Sequence, residues 1–73
     1  MIRILFVQKL DEKGFKERKR ITIGDVCNET GISRATLTRI ANIPGYNTNT
    51  DTINALCKFF DCIPGELLQF VKD

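Results

Sequence analysis

The sequence predicts an all-α fold in which five short helices pack as one compact domain over residues 1–73. Apolar residues recur at helical spacing in successive segments, and helix-capping residues or glycines separate these segments. A chain of 73 residues buries only about 60% of the surface that it exposes when unfolded, so the core must be thin. Residues 1–5 leave a second possibility open, because they also fit a short N-terminal strand.

The N-terminal segment carries apolar residues at spacings of four, at Ile2, Phe6 and Leu10. This spacing predicts a helix. Glycine is a common helix stop, so we expect the helix to end near Gly14. The β-forming residues at the start of the segment are the reason for keeping a strand open there.

The second predicted helix covers Ile23–Thr30 and follows Thr22, whose side chain suits a helix N-cap. At about 100° per residue, Val26 and Cys27 fall on one side, whereas the charged residues of the segment point elsewhere. Gly31 then supplies a residue that tolerates the left-handed conformation in which helices commonly end. The pattern predicts a short helix with one buried side.

The third predicted helix covers Arg34–Asn42 and follows Ser33, a second favourable N-cap. Leu37 and Ile40 lie on one side of its helical wheel, which marks them as core residues. The opposite side is an arc of about 140° that carries Arg34, Ala35, Thr38, Arg39 and Asn42. This helix therefore presents hydrogen-bond donors and small side chains on one continuous face.

Two further helices complete the predicted fold. Pro44 and Gly45 mark a turn. Thr50 then caps a helix that begins at Asp51, and its buried stripe consists of Ile53, Leu56, Cys57 and Phe60. The last short helix begins near Pro64, because proline favours the first turn, and it carries Leu67, Leu68, Phe70 and Val71.

The composition argues against several classes of function. With 42% hydrophobic and 27% charged residues, the chain is typical of a folded soluble protein. No apolar run approaches the roughly 18 residues of a membrane span, and the first residues do not form a secretory signal. These features predict a cytoplasmic protein with no membrane partner.

The chain has three cysteines, Cys27, Cys57 and Cys62, and no histidine. An odd number of cysteines argues against a disulfide framework, and a structural zinc ion needs four ligands. We therefore expect small apolar cysteines, with Cys27 and Cys57 buried, and no metal or other cofactor. Without a histidine base, converging carboxylates or a phosphate loop, the sequence predicts neither an enzyme nor a small-molecule substrate.

The basic residues are concentrated, although the net charge is only +2. Five of the eleven lysines and arginines fall within residues 13–20. A second zone, residues 30–50, contains Arg34, Arg39 and Tyr46 but no acidic residue. Two separate basic zones in so small a domain indicate an anionic partner.

The two central helices have the spacing of a helix-turn-helix over residues 22–42. In this motif the second helix lies in the major groove of DNA. Arginine can bridge the two acceptors of guanine, and alanine or a threonine methyl group can contact the methyl group of thymine. The exposed face of Arg34–Asn42 therefore predicts sequence-specific binding to double-stranded DNA.

The stretch TIGDVCNETGISRATLTRI, residues 22–40, resembles the helix-turn-helix of the phage Cro and repressor family, the xenobiotic-response-element type of regulator. The cap, core and turn positions of that motif are Thr22, Val26, Gly31, Ile32, Ser33, Leu37 and Ile40. The stretch DTINALCKFFDCIPGELLQFV, residues 51–71, is similar to the ending of a small bacterial subgroup of this family. The resemblance implies a lambda-repressor-like DNA-binding domain that controls transcription, with repression as the expected mode.

The resemblance also implies the DNA contacts of the second motif helix. Its groove-facing positions are Ser33, Arg34, Ala35, Thr38 and Arg39. We expect base contacts from the last four of these, and backbone contacts from Ser33 and from Asn42 at the helix end.

The chain departs from the family at two positions of the first motif helix. The usual glutamine after the cap, which contacts a phosphate, is Ile23, and the usual inner alanine is Cys27. We therefore expect phosphate anchoring by a basic loop before this helix. The expected backbone contacts are Lys16, Lys19, Arg20 and Tyr46.

Two classes of function remain open: a DNA-binding regulator, and a protein-interaction module, such as an antitoxin or accessory subunit, on the same fold. A regulator is expected to be a homodimer, because one recognition helix reads only about four or five base pairs. The dimer surface is expected from apolar residues near both ends of the chain, namely Ile2, Ile4, Ile63, Phe70 and Val71.

Overall fold

The computed structural model describes residues 1–72. In chain order its elements are β1 (Ile2–Ile4), α1 (Phe6–Glu17), α2 (Ile23–Thr30), α3 (Arg34–Asn42), α4 (Thr50–Phe60), α5 (Pro64–Leu67) and β2 (Leu68–Phe70). The predicted class, an all-α fold of five helices with a short N-terminal strand as the open alternative, is confirmed, and the strand is present. None of the helices within residues 1–72 combines the length and apolar character needed to cross a membrane.

The core is small, and every helix contributes to it. Its fully buried members are Phe6, Val26, Leu37, Ile40, Leu56 and Leu67. The rings of Phe6 and Phe60 meet edge to face with centroids 6.0 Å apart, which links α1 to α4. Because so few side chains are fully withdrawn from water, each one is a large part of the stability of the fold.

The motif helices α2 and α3 have the bounds that the sequence predicts. The Thr22 hydroxyl accepts a hydrogen bond from the Asp25 N–H at 3.1 Å, and the Asp25 carboxylate accepts one from the Thr22 N–H at 2.9 Å. This reciprocal capping box holds the start of α2. At its end, Gly31 adopts φ +77°, the left-handed conformation that glycine favours.

The first helix does not end near Gly14, as the sequence predicts, but continues to Glu17. Gly14 serves a different purpose. An ideal β-carbon added there would lie only 2.8 Å from the carbonyl oxygen of Lys19. Glycine therefore lets the chain turn back closely against the helix after Arg18, which itself adopts φ 56°. The expected basic loop is consequently short, and Lys16 lies on a helix.

The C-terminal segment was predicted as helix through Val71, and this prediction is wrong beyond Leu67. Residues Leu68–Phe70 form β2, which pairs antiparallel with β1. The N–H of Leu5 donates to the Leu67 carbonyl oxygen at 2.8 Å, and the Val71 N–H donates to the Met1 carbonyl oxygen at 2.8 Å. A one-turn helix is only marginally stable, so pairing with a distant strand determines the conformation of these residues.

Two smaller differences concern α4 and the cysteines. The helix begins at Thr50 and its N-cap is Asn49, one residue before the predicted cap, with the Asn49 side-chain oxygen accepting from the Thr52 N–H at 2.9 Å. The cysteines pack against the core, but all three are half-buried rather than enclosed, so the expected full burial of Cys27 and Cys57 is wrong. Burial, with a contribution from Cys57, raises the pKa of the Cys62 thiol.

We predict that Thr22→Ala lowers the free energy of unfolding by about 1 kcal/mol, because it removes the acceptor for the Asp25 N–H. Urea unfolding followed by circular dichroism measures the change. Thr38→Ala is the matched control, since Thr38 is exposed on α3 and caps no helix, and it should change stability by less than about 0.5 kcal/mol. Equal losses in both variants would show that the capping box does not hold α2.

Candidate nucleic-acid interface

The orientation of α3 is fixed by burial on one side and by the turn that precedes it. Leu37 and Ile40 are 0% and 5% exposed, and they pack in the core with Val26 of α2. In the turn, the Thr30 hydroxyl donates to the Val26 carbonyl oxygen at 2.6 Å and accepts from the Ile32 N–H at 3.2 Å. The turn is therefore tied back to α2, and α3 has one defined outer face.

The outer face of α3 is the polar face that the helical wheel predicts. All five of its side chains are exposed: Arg34, Ala35, Thr38, Arg39 and Asn42. Neither arginine forms an ion pair with a carboxylate of residues 1–72. Their guanidinium groups can therefore donate hydrogen bonds to an external acceptor without breaking an internal salt bridge.

The small residues of this face determine how closely a partner can approach. Ala35 and Thr38 separate the two arginines and extend little beyond the helix backbone. An α-helix fits the DNA major groove, which is about 12 Å wide, only if side chains along the approach are short or can reach the base edges. This face of α3 has both short side chains and arginines long enough to reach the base edges.

The helix start is closed by its own cap. The Ser33 hydroxyl accepts from the Thr36 N–H at 3.2 Å and donates to the Thr36 hydroxyl at 2.9 Å. Its hydroxyl proton is thus engaged within α3, and the expected phosphate contact of Ser33 requires this group to rotate. Tyr46 lies between α3 and α4 and is half-buried against the core, so part of its ring is accessible.

The basic segment at the end of α1 projects into solvent. Lys16, Lys19 and Arg20 are all exposed, and among the carboxylates of residues 1–72 the one approached is that of Glu17, whose Oε1 lies 3.7 Å from Lys19 Nζ. Glu17 is already paired with Lys13 at 2.6 Å, so it neutralises little of the segment. Arg18 is a further exposed cation that the sequence-based assignment omits, although it lies in the same charge run.

One residue of each basic zone, Lys19 and Arg34, lies near the first turn of α2. The Thr22 N–H, the Thr22 hydroxyl contact and the charge of nearby Lys19 together hold the pKa of Asp25 below its usual value. From the other side, the Arg34 guanidinium reaches Gly24, where an added β-carbon would lie 3.1 Å from Nη2. Lys19, in the connection between α1 and α2, and Arg34 of α3 therefore both lie near the start of α2, which is the positive end of the helix dipole.

A helix-turn-helix with an uncompensated polar face and flanking cations defines a DNA-binding regulator. Residues 15–73 match the family of the Cro/C1-type HTH DNA-binding domain, and the chain belongs to this family. This confirms the resemblance read from the sequence. The chain is also similar to YozG, an uncharacterized HTH-type transcriptional regulator of Bacillus subtilis strain 168, with 25% identity over 56 residues, or 77% of this chain and 67% of that protein. No solved structure matches the chain.

Proposed function

We propose that the protein is a sequence-specific transcriptional repressor that inserts α3 into the major groove of duplex DNA. The observation that carries this proposal is the exposed face of α3, on which two arginines flank small side chains and form no ion pair with a carboxylate of residues 1–72. Repression is the simplest mode, because it requires only that the bound protein occupy its site. A DNA partner also favours the expected cytoplasmic location.

The chemistry of the face assigns a role to each side chain. Arg34 and Arg39 can each donate two hydrogen bonds to O6 and N7 of a guanine. Ala35 and the Thr38 methyl group can contact the methyl group of thymine. We propose these four residues as the base-reading set.

The remaining candidates surround this set and would bind phosphates. They are Ser33, Asn42, Lys16, Lys19, Arg20 and Tyr46. Of the basic segment, Lys19 lies near the first turn of α2, where it lines a surface depression together with Asp25. Phosphate contacts fix the register of a protein on DNA but carry no sequence information directly.

The salt dependence of DNA affinity tests this proposal against a protein-interaction module on the same fold. Fluorescence anisotropy with a labelled duplex of random sequence should show affinity that falls steeply as salt is raised. The log–log slope should be about −0.9 for each phosphate contact. A flat salt profile, or no measurable binding at low salt, would favour the interaction module.

Arg39→Ala should weaken binding to the preferred duplex by about 1–3 kcal/mol and relax the preference at one base pair. Lys19→Ala is the matched comparison. It should weaken binding to all duplexes alike and reduce the magnitude of the log–log salt slope by about 0.9, the value for one phosphate contact. Site selection from a random duplex library, followed by competition titration, measures both effects.

Because Arg39 is exposed and forms no ion pair within residues 1–72, its replacement should leave the urea midpoint unchanged. If Arg39→Ala selects the same site with the same preference as the unmodified protein, the assigned base-reading face is wrong.

We further propose that the protein acts as a homodimer on a near-palindromic site. Ile2 and Phe70 lie opposite each other in the β1–β2 ribbon, on the same face, and are 50% and 73% exposed. Further along this face, Ile4 and Leu68 pack against the core. The ribbon thus extends its apolar face beyond the core, where a second copy can cover it. Of the other residues expected in this surface, Ile63 is 65% exposed and Val71 is half-buried.

Phe70→Thr should shift the protein towards monomer in sedimentation velocity and weaken binding to a two-half-site duplex more than to a single half-site. Strand pairing uses the backbone of residue 70, and threonine favours β structure, so the fold should persist. Phe15→Gln is the control, because Phe15 is an 89% exposed ring on α1. A complex of one protein with one non-palindromic site would refute the dimer and leave DNA binding intact.

A further inference from the structure

Gly24, the second residue of α2, has no conformational reason to be glycine. Within residues 1–72, the positive-φ glycines are Gly31 and Gly45, and Gly24 has ordinary helical geometry. Glycine inside a helix is less favourable than alanine, because it loses more backbone freedom on folding. We therefore look for the reason for a glycine at position 24 in the atoms that a side chain there would contact.

A side chain at Gly24 would meet Arg34. An ideal β-carbon would lie 3.1 Å from the Arg34 Nη2 atom and 3.6 Å from the Thr22 hydroxyl oxygen. The second distance is an ordinary contact, whereas the first is shorter than the roughly 3.5–4.0 Å of optimal carbon contacts. The space above Gly24 is thus occupied by the guanidinium group.

In the structure, Arg34 places its guanidinium group in the space that the missing side chain of Gly24 leaves open. Its side chain is exposed and forms no ion pair with a carboxylate of residues 1–72. A long side chain without such a partner samples many rotamers, and fixing it costs conformational entropy. The bare backbone of Gly24 lets the guanidinium lie close against the first turn of α2.

We propose that Gly24 is a positioning residue for Arg34, and that the affinity and base preference contributed by Arg34 depend on the missing side chain at Gly24. The inference rests on the proposed function, because it concerns how the base-reading face is arranged. Gly24 itself need not touch the DNA. Its effect comes from the space that its missing side chain leaves for the Arg34 guanidinium.

Replacing Gly24 should affect DNA binding without lowering the stability of the fold. In Gly24→Ala the terminal nitrogen of Arg34 must move by a few tenths of an ångström or more, which a flexible side chain does at little cost to folding. Alanine also favours the helix. The urea midpoint should therefore stay the same or rise, whereas binding to the preferred duplex should weaken. Gly24→Leu should displace the guanidinium further and weaken binding more.

A double-mutant cycle on the full chain tests this, with the duplex recovered by site selection as probe. Complete loss of an arginine contact corresponds to about 5- to 150-fold in affinity. Gly24→Ala should therefore weaken binding by at least about threefold, but by no more than Arg34→Ala does. It should also relax the preference at the same base pair. In the Arg34→Ala background, adding Gly24→Ala should have no further effect.

Gly65→Ala is the matched control, because a β-carbon there would meet only the end of the Ile63 side chain at 4.0 Å. It should bind DNA like the unmodified protein. Unchanged binding by Gly24→Ala, or an equal loss when Arg34 is already alanine, would overturn the positioning role alone. Failure of the unmodified chain to bind duplex DNA would overturn the proposed function and this inference together.

Discussion

The burial of Leu37 and Ile40 is the interaction on which the remaining features of the interface depend. These two side chains are almost fully withdrawn from water and attach α3 to a core that has few other fully buried members. Since residues three apart on a helix share a face, fixing this pair also fixes the opposite side. The outward direction of Arg34 and Arg39 is thus a consequence of packing, and the hydrogen-bonded turn before α3 supports the same orientation.

The small size of the core also affects the two ends of the chain. A thin core leaves the termini little to pack against, and the structure joins them in a two-stranded ribbon, with Arg3 Nη1 donating to the Gln69 side-chain oxygen at 3.2 Å on its outer side. Leu67, just before β2, is fully buried, whereas Ile2 and Phe70 on the ribbon are exposed. An isolated pair of strands is marginally stable, so this ribbon depends on the helices beneath it. The exposed apolar residues are the feature that we assign to a second copy.

The parts of the fold that the sequence predicts well are those determined by neighbours in the chain. Thr22, Gly31 and Ser33 are cap residues that act within four positions of themselves, and the bounds of α2 and α3 follow from them. The two helix ends that were mispredicted depend on contacts that helical periodicity does not show. The end of α1 depends on the approach of Lys19 to Gly14, and β2 depends on a strand more than sixty residues earlier. In the interface, the polar face follows from helical periodicity, whereas the contact of Arg34 with Gly24 depends on how two helices cross, which periodicity does not reveal.

The central claim is that α3 reads bases from the major groove, and methylation interference tests it most directly. A duplex recovered by site selection is methylated sparsely at guanine N7, which lies in the major groove, and at adenine N3, which lies in the minor groove. Bound and unbound fractions are then compared. The account predicts that methylation of particular guanine N7 atoms depletes the bound fraction, and that a dimer gives two such clusters about 10 base pairs apart. Interference confined to adenine N3 would contradict it.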